Sequence, residues 1–205
     1  DYYASRGLGD VYKRQGYYNY GFRAYILLRE EVYRATQGKI DFFQTPKFVR
    51  IARYGKKIQM NEGVCPAYSD CRIGLSPDRF ILSYCDRALG VTSAEEQPVL
   101  PKGNNLSLHL LELFTSRVAK VGMTDGIRQV LQEESDALRA YYEQAGILIA
   151  RPAGGTSCRL AISAKGGTNA ENHNHNDVGS YAVALGSEND GWRSGRSELL
   201  SRRLF

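Results

Sequence analysis

The chain has 205 residues, 42% of them hydrophobic, and 27 Lys and Arg against 22 Asp and Glu give it a formal charge of +5. No apolar stretch approaches the roughly 20 residues that a membrane-spanning helix needs, and no repeat or low-complexity segment interrupts the pattern. Residues 1–15 and 188–205 each carry a surplus of one positive charge, leaving +3 between them, too small and too scattered to argue for nucleic acid.

The first residues do not read as natural protein. Asp10-Val11-Tyr12-Lys13-Arg14-Gln15 is what a transposon-end sequencing adapter encodes when it is translated through, so residues 1–15 are expected to be an artefact outside the fold. From Tyr20 to Thr36 apolar residues recur at helical spacing, among them Phe22, Tyr25, Ile26, Leu28, Val32 and Tyr33, and Gly38 supplies a stop. Ser76-Pro77 predicts an N-cap and a first-turn proline for a helix over 78–89, closed by Gly90. The helical pattern continues over 106–118, where His109 reads as a helix-face or core histidine, and again over 126–138.

Beyond that point residues 141–150 and 159–164 read as strands, separated by Arg151-Pro152-Ala153-Gly154-Gly155. Helices precede and strands follow, with the change near residue 138, so the expected class is α+β, in one core or in parts of two domains. Cys65, Cys71, Cys85 and Cys158 form no C-x-x-C pair and predict neither a zinc ribbon nor a redox motif. Buried free thiols are expected, with a Cys65–Cys71 bridge as the alternative in an oxidising compartment.

The chemistry concentrates in Glu171-Asn172-His173-Asn174-His175-Asn176-Asp177, followed by the strand-like run Val178 to Leu185. A strand beginning at the histidines would put His173, His175 and Asp177 on one face and Asn174 and Asn176 on the other. Such a face suits a metal ion or an anionic substrate, because neutral imidazole is a good zinc ligand. Lys165-Gly166-Gly167-Thr168-Asn169 is a turn signal after the strand Arg159 to Ser163, so two strands joined by a polar loop are expected to present the histidines at a sheet edge. The plain alternative is a polar strand end whose histidines hydrogen-bond their own loop; the interleaved asparagines and clustered acids favour a site. Arg151 and Lys165 flank it and are read as solvated loop charges, with substrate carboxylates as the alternative contact.

The string from Lys165 through the histidines to Tyr181 closely resembles the signature of the heparinase II/III-like polysaccharide lyases. The resemblance extends to Gly16-Tyr17-Tyr18-Asn19-Tyr20-Gly21, with Tyr18 where the family usually has tryptophan. It also takes in Asp70-Cys71-Arg72, Ser76-Pro77-Asp78-Arg79 and Ala145 to Pro152, so that residues 16–189 are covered. What it implies is the C-terminal part of an (α/α) toroid over 16–138, followed over 139–189 by the first strands of an antiparallel β-sandwich domain. It further implies a bacterial, periplasmic or secreted enzyme that cleaves uronic-acid-containing glycans by β-elimination.

By motif position the resemblance makes Tyr20 and His173 catalytic, with Tyr17 and Asn174 as substrate contacts. It makes His175 a ligand of a structural zinc ion and Asp177 a brace behind an imidazole or the strand turn. The family's carboxylate-neutralising Asn/His pair has no counterpart from Gly16 onward. The hydrophobic pattern collapses after Glu188, and Asp190 to Phe205 can be back-translated so that the frame one base later encodes Asp-Pro-Gly-Gly and a tyrosine run like the family's. A frameshift near Asn189 is therefore expected, with the family's carboxylate zinc ligand encoded where Arg193 now stands. Two other classes stand beside this one. A non-catalytic carbohydrate-binding or envelope-assembly protein could share the fold. A two-metal hydrolase matches His173-x-His175-x-Asp177 but needs a histidine where Val178 stands.

Overall fold

The computed structural model describes residues 15–61, 63–68, 71, 73–92, 99, 106, 110, 113, 118–133, 138–154, 156–168, 176–186 and 199–202. Helices α1 (Gln15–Ala35), α2 (Pro46–Lys57), α3 (Arg79–Leu89) and α4 (Asp125–Glu133) come first in the chain. They are followed by strands β1 (Arg139–Tyr142), β2 (Ile147–Ala150), β3 (Leu160–Lys165), β4 (Tyr181–Leu185) and β5 (Leu199–Arg202). The class is mixed helix and antiparallel strand. The chain divides into two compact units, one of residues 19–55 and 77–135, the other of residues 1–18, 56–76 and 136–205. None of the helices among the described residues is long and apolar enough to cross a membrane.

In the helical unit, α1 buries Phe22, Ile26, Arg29 and Glu30, a stripe at the three-and-four spacing that puts side chains on one helix face. Phe22 stacks on Phe48 of α2 at 6.1 Å between ring centroids, Phe43 on Phe48 at 3.6 Å, and Tyr84 of α3 meets Phe43 edge-on at 6.0 Å. Arg29 is fully buried at the centre of this aromatic core. Its Nε and Nη2 grip the two Asp41 carboxylate oxygens at 2.9 and 2.7 Å, and Nη1 reaches Glu30 at 2.9 Å and the Tyr84 hydroxyl at 3.0 Å. Nη2 also donates to the Ala119 carbonyl at 3.1 Å.

The cap of α3 differs from the expected one. Asp78, not Ser76, is the N-cap residue, and its Oδ1 accepts the Phe80 amide at 2.9 Å. A carboxylate wins this place because α1 holds it from the other side: Arg23 Nε donates to Asp78 Oδ2 at 2.7 Å, and Asn19 Oδ1 accepts the Asp78 amide at 2.8 Å. Gly90 ends the helix in the left-handed region at φ 66°, as expected. Asp78→Ala is expected to lower stability by about 1–2 kcal/mol in urea unfolding, and Asp78→Asn, which keeps the cap acceptor, to recover more than half of the loss.

In the second unit the five strands form an antiparallel meander in the order β1-β2-β3-β4-β5. The single strand expected over 141–150 is in fact a hairpin, because Glu143–Ala145 turns in a 3₁₀ helix and Gly146 leaves it at φ 59°. Alternation along the strands buries Ala140, Ile147, Ile149, Ala161, Ser163, Lys165, Ala182 and Ala184 on one face. The segment 56–68 lies against this sheet. Arg151 Nε donates to the Gln59 carbonyl at 2.6 Å, and Asn61 Nδ2 donates to the Gly186 carbonyl at 2.7 Å. Tyr68 shares a 2.8 Å hydrogen bond with Ser163.

Candidate functional site

Tyr18 and Tyr20 of α1, the second of them the expected catalytic residue, part company. Tyr18 is fully buried, whereas Tyr20 stands 78% exposed, since two residues on a helix are separated by about 200°. Asn19 between them is committed to the Asp78 amide. Tyr17 belongs to α1, but its side chain lies outside the described residues, as do His173, Asn174, His175, His109 and Arg193.

Both flanks of the histidine run are described. The premise that β4 starts at the histidines is overturned: β4 starts at Tyr181. Between them Asn176 sits at φ 57° and Gly179 at φ 88°, both outside the extended region, so the alternation of faces cannot be carried back from β4 to His173. The turn is closed by the Ser180 amide donating to the Asp177 carbonyl at 2.8 Å. It docks on the end of β3 through the Gly179 amide to the Lys165 carbonyl at 2.8 Å and the Lys165 amide to the Ser180 carbonyl at 2.9 Å. The expected pairing of the strands on either side of the loop is present, with Ala164 opposite Tyr181 and Leu160 opposite Leu185.

The two flanking cations are both engaged by backbone carbonyls of their own unit. Lys165 is 6% exposed, and its ammonium donates to the carbonyls of Ala145 at 2.7 Å and Gly166 at 3.0 Å. Arg151 spends its guanidinium on the carbonyls of Gln59 and Lys57. The expectation of a solvated loop charge fails for Lys165, which is buried, and holds only in part for Arg151, which is half-buried. Backbone carbonyls at the ends of turns need donors, and a long cation reaches them.

Asp177 is also buried, at 6% exposure, under the turn. Tyr68 and Ser163 lie in the same unit, and the Asp177 charge bears on the Tyr68 phenol. Burial first, and Asp177 second, push Tyr68 up to about 12, while the Ser163 hydrogen bond opposes them. This polar cluster was not foreseen, since Tyr68 lies in a segment without periodicity. The signal was indirect: Ser163 and Lys165 share the parity of Ala161 on β3, and a polar residue on an inner face calls for a partner.

Tyr68→Phe is expected to cost about 1–2 kcal/mol, measured by chemical unfolding at neutral pH, because Ser163 loses its partner. The sign of the pH effect follows from the raised phenol. Its stabilisation is present in full below the ordinary tyrosine value near 10 and is lost as pH climbs toward 12. The wild-type chain should therefore lose more stability than Tyr68→Phe across that window.

Among the described residues, no three or more His, Cys, Asp or Glu side chains come together in a way that could hold a metal ion. Asp177, the carboxylate of the motif that is described, is buried. Cys65, Cys71, Cys85 and Cys158 are free thiols and the Cys65–Cys71 bridge is not formed, but only Cys65 and Cys85 are buried as expected, Cys71 being half-buried and Cys158 exposed. No protein-family model matches the chain, and a search of curated proteins returns no match.

Proposed function

We propose that the chain is part of a polysaccharide lyase, of the heparinase II/III-like kind, that cleaves acidic, uronic-acid-containing glycans by β-elimination. The observation that carries this reading is the unbroken string Lys165 to Tyr181, a glycine turn followed by the His-Asn run and a strand. In the proposed fold the helices are the end of a toroid and strands β1 to β4 are the first strands of a sandwich domain, in a periplasmic or secreted protein.

β-Elimination requires charge stabilisation on the C5 carboxylate group, removal of the C5 proton and protonation of the departing O4 oxygen. Tyr20 is assigned the proton transfers. Its exposure supports that role, since a phenol that meets a polymer cannot be packed away as Tyr18 is. His173 acts as base or neutralises the carboxylate, and Tyr17 and Asn174 contact the sugar. Zinc, held in part by His175, would order the loops of the sheet; one imidazole falls short of the three or four ligands zinc takes, so weak binding at most is expected of this chain.

The test is ultraviolet absorbance of unsaturated uronate products on a panel of acidic glycans. The isolated 205-residue chain should form none, because it offers no counterpart of the carboxylate-neutralising pair. A longer gene product that contains that pair should be active and should lose at least about 100-fold in kcat on Tyr20→Phe. An active longer protein unaffected by Tyr20→Phe and by His173→Ala would refute the assignment. Sequencing across Asn189 decides the frameshift: codons that cannot be read as Asp-Pro-Gly-Gly one base later would dismiss it.

A further inference from the structure

We draw no further inference here: the strongest candidate, the outer face of the sheet where Tyr141, Leu148, Leu160, Ile162 and Leu185 stand exposed, carries none because nothing among the described residues shows what covers it.

Discussion

Arg29→Ala is expected to cost about 3–5 kcal/mol, enough to unfold a marginally stable unit, because it takes the shared guanidinium from two buried carboxylates. The Asp41 and Glu30 side chains are 4% and 2% exposed, and each is matched to a nitrogen of the same guanidinium. Burial alone would push the Asp41 carboxyl up. The Arg29 and Phe43 hydrogen bonds and the Arg29 charge outweigh it and hold the group below its usual range. Burial likewise raises the Tyr84 phenol, which keeps its proton to donate to Glu30. Without Arg29 the cluster loses the donors of its central guanidinium and keeps its acceptors. The guanidinium also lies 4.7 Å from the Phe43 ring centroid and 5.0 Å from that of Tyr33, so its loss removes packing as well as charge.

The measurement is the urea midpoint, with Arg29→Lys as comparison. Lysine restores the charge but not the planar fork and should recover less than half of the loss. A depressed carboxyl contributes stability above the ordinary carboxylate range and loses it as pH falls through the folded value. The gap between wild type and Arg29→Ala should therefore narrow in acid. A gap of under about 1 kcal/mol at neutral pH would show that Arg29 is not the hub of the helical unit.

Gly146→Ala is the counterpart in the sheet unit, with an expected loss of about 3 kcal/mol. Its φ of 59° costs an L-residue roughly 1–2 kcal/mol, and overpacking adds roughly 1–3 kcal/mol. A Cβ there would lie 2.6 Å from the Gly166 carbonyl carbon and oxygen and 2.7 Å from the Gly167 nitrogen. These are backbone atoms and cannot rotate away. They are also held in place, since the Gly166 amide donates to the Gly146 carbonyl at 2.6 Å and Lys165 donates to the Gly166 carbonyl. The substitution thus forces apart the crossing on which the turn into the histidine run is built. Gly154→Ala, with open space around its Cβ, should change stability by less than about 0.5 kcal/mol. Equal effects of the two substitutions in thermal or urea unfolding would refute the crossing as the weak point.

How legible these features were in the sequence varied with the distance over which the cause acts. The spacing from Phe22 through Tyr33 marked α1, although its start at Gln15 lies five residues before the predicted one. Gly90 marked the end of α3. Helix α2 went unread although its signals were present. Thr45 precedes Pro46 as Ser76 precedes Pro77, its Oγ1 accepts the Phe48 amide at 3.2 Å, and Phe48, Val49, Ile51 and Ala52 form the buried stripe. Five basic residues among twelve masked that pattern. The Asp78 cap could not have been ranked above Ser76, since what decides it is Asn19 and Arg23, more than fifty residues away.

By itself the sequence determined the class of structure, helices first and strands after, because periods of 3.6 and 2 are local properties of where apolar side chains must point. It also determined where the chemistry is proposed, since the His-Asn run and its glycine turn are contiguous. Only the tertiary structure decided what the charges near that run do. Lys165 and Arg151 read in the sequence as solvated loop charges, and each donates to backbone carbonyls of its own unit. Desolvation and hydrogen-bond supply depend on what the rest of the chain brings alongside, and no local pattern records that.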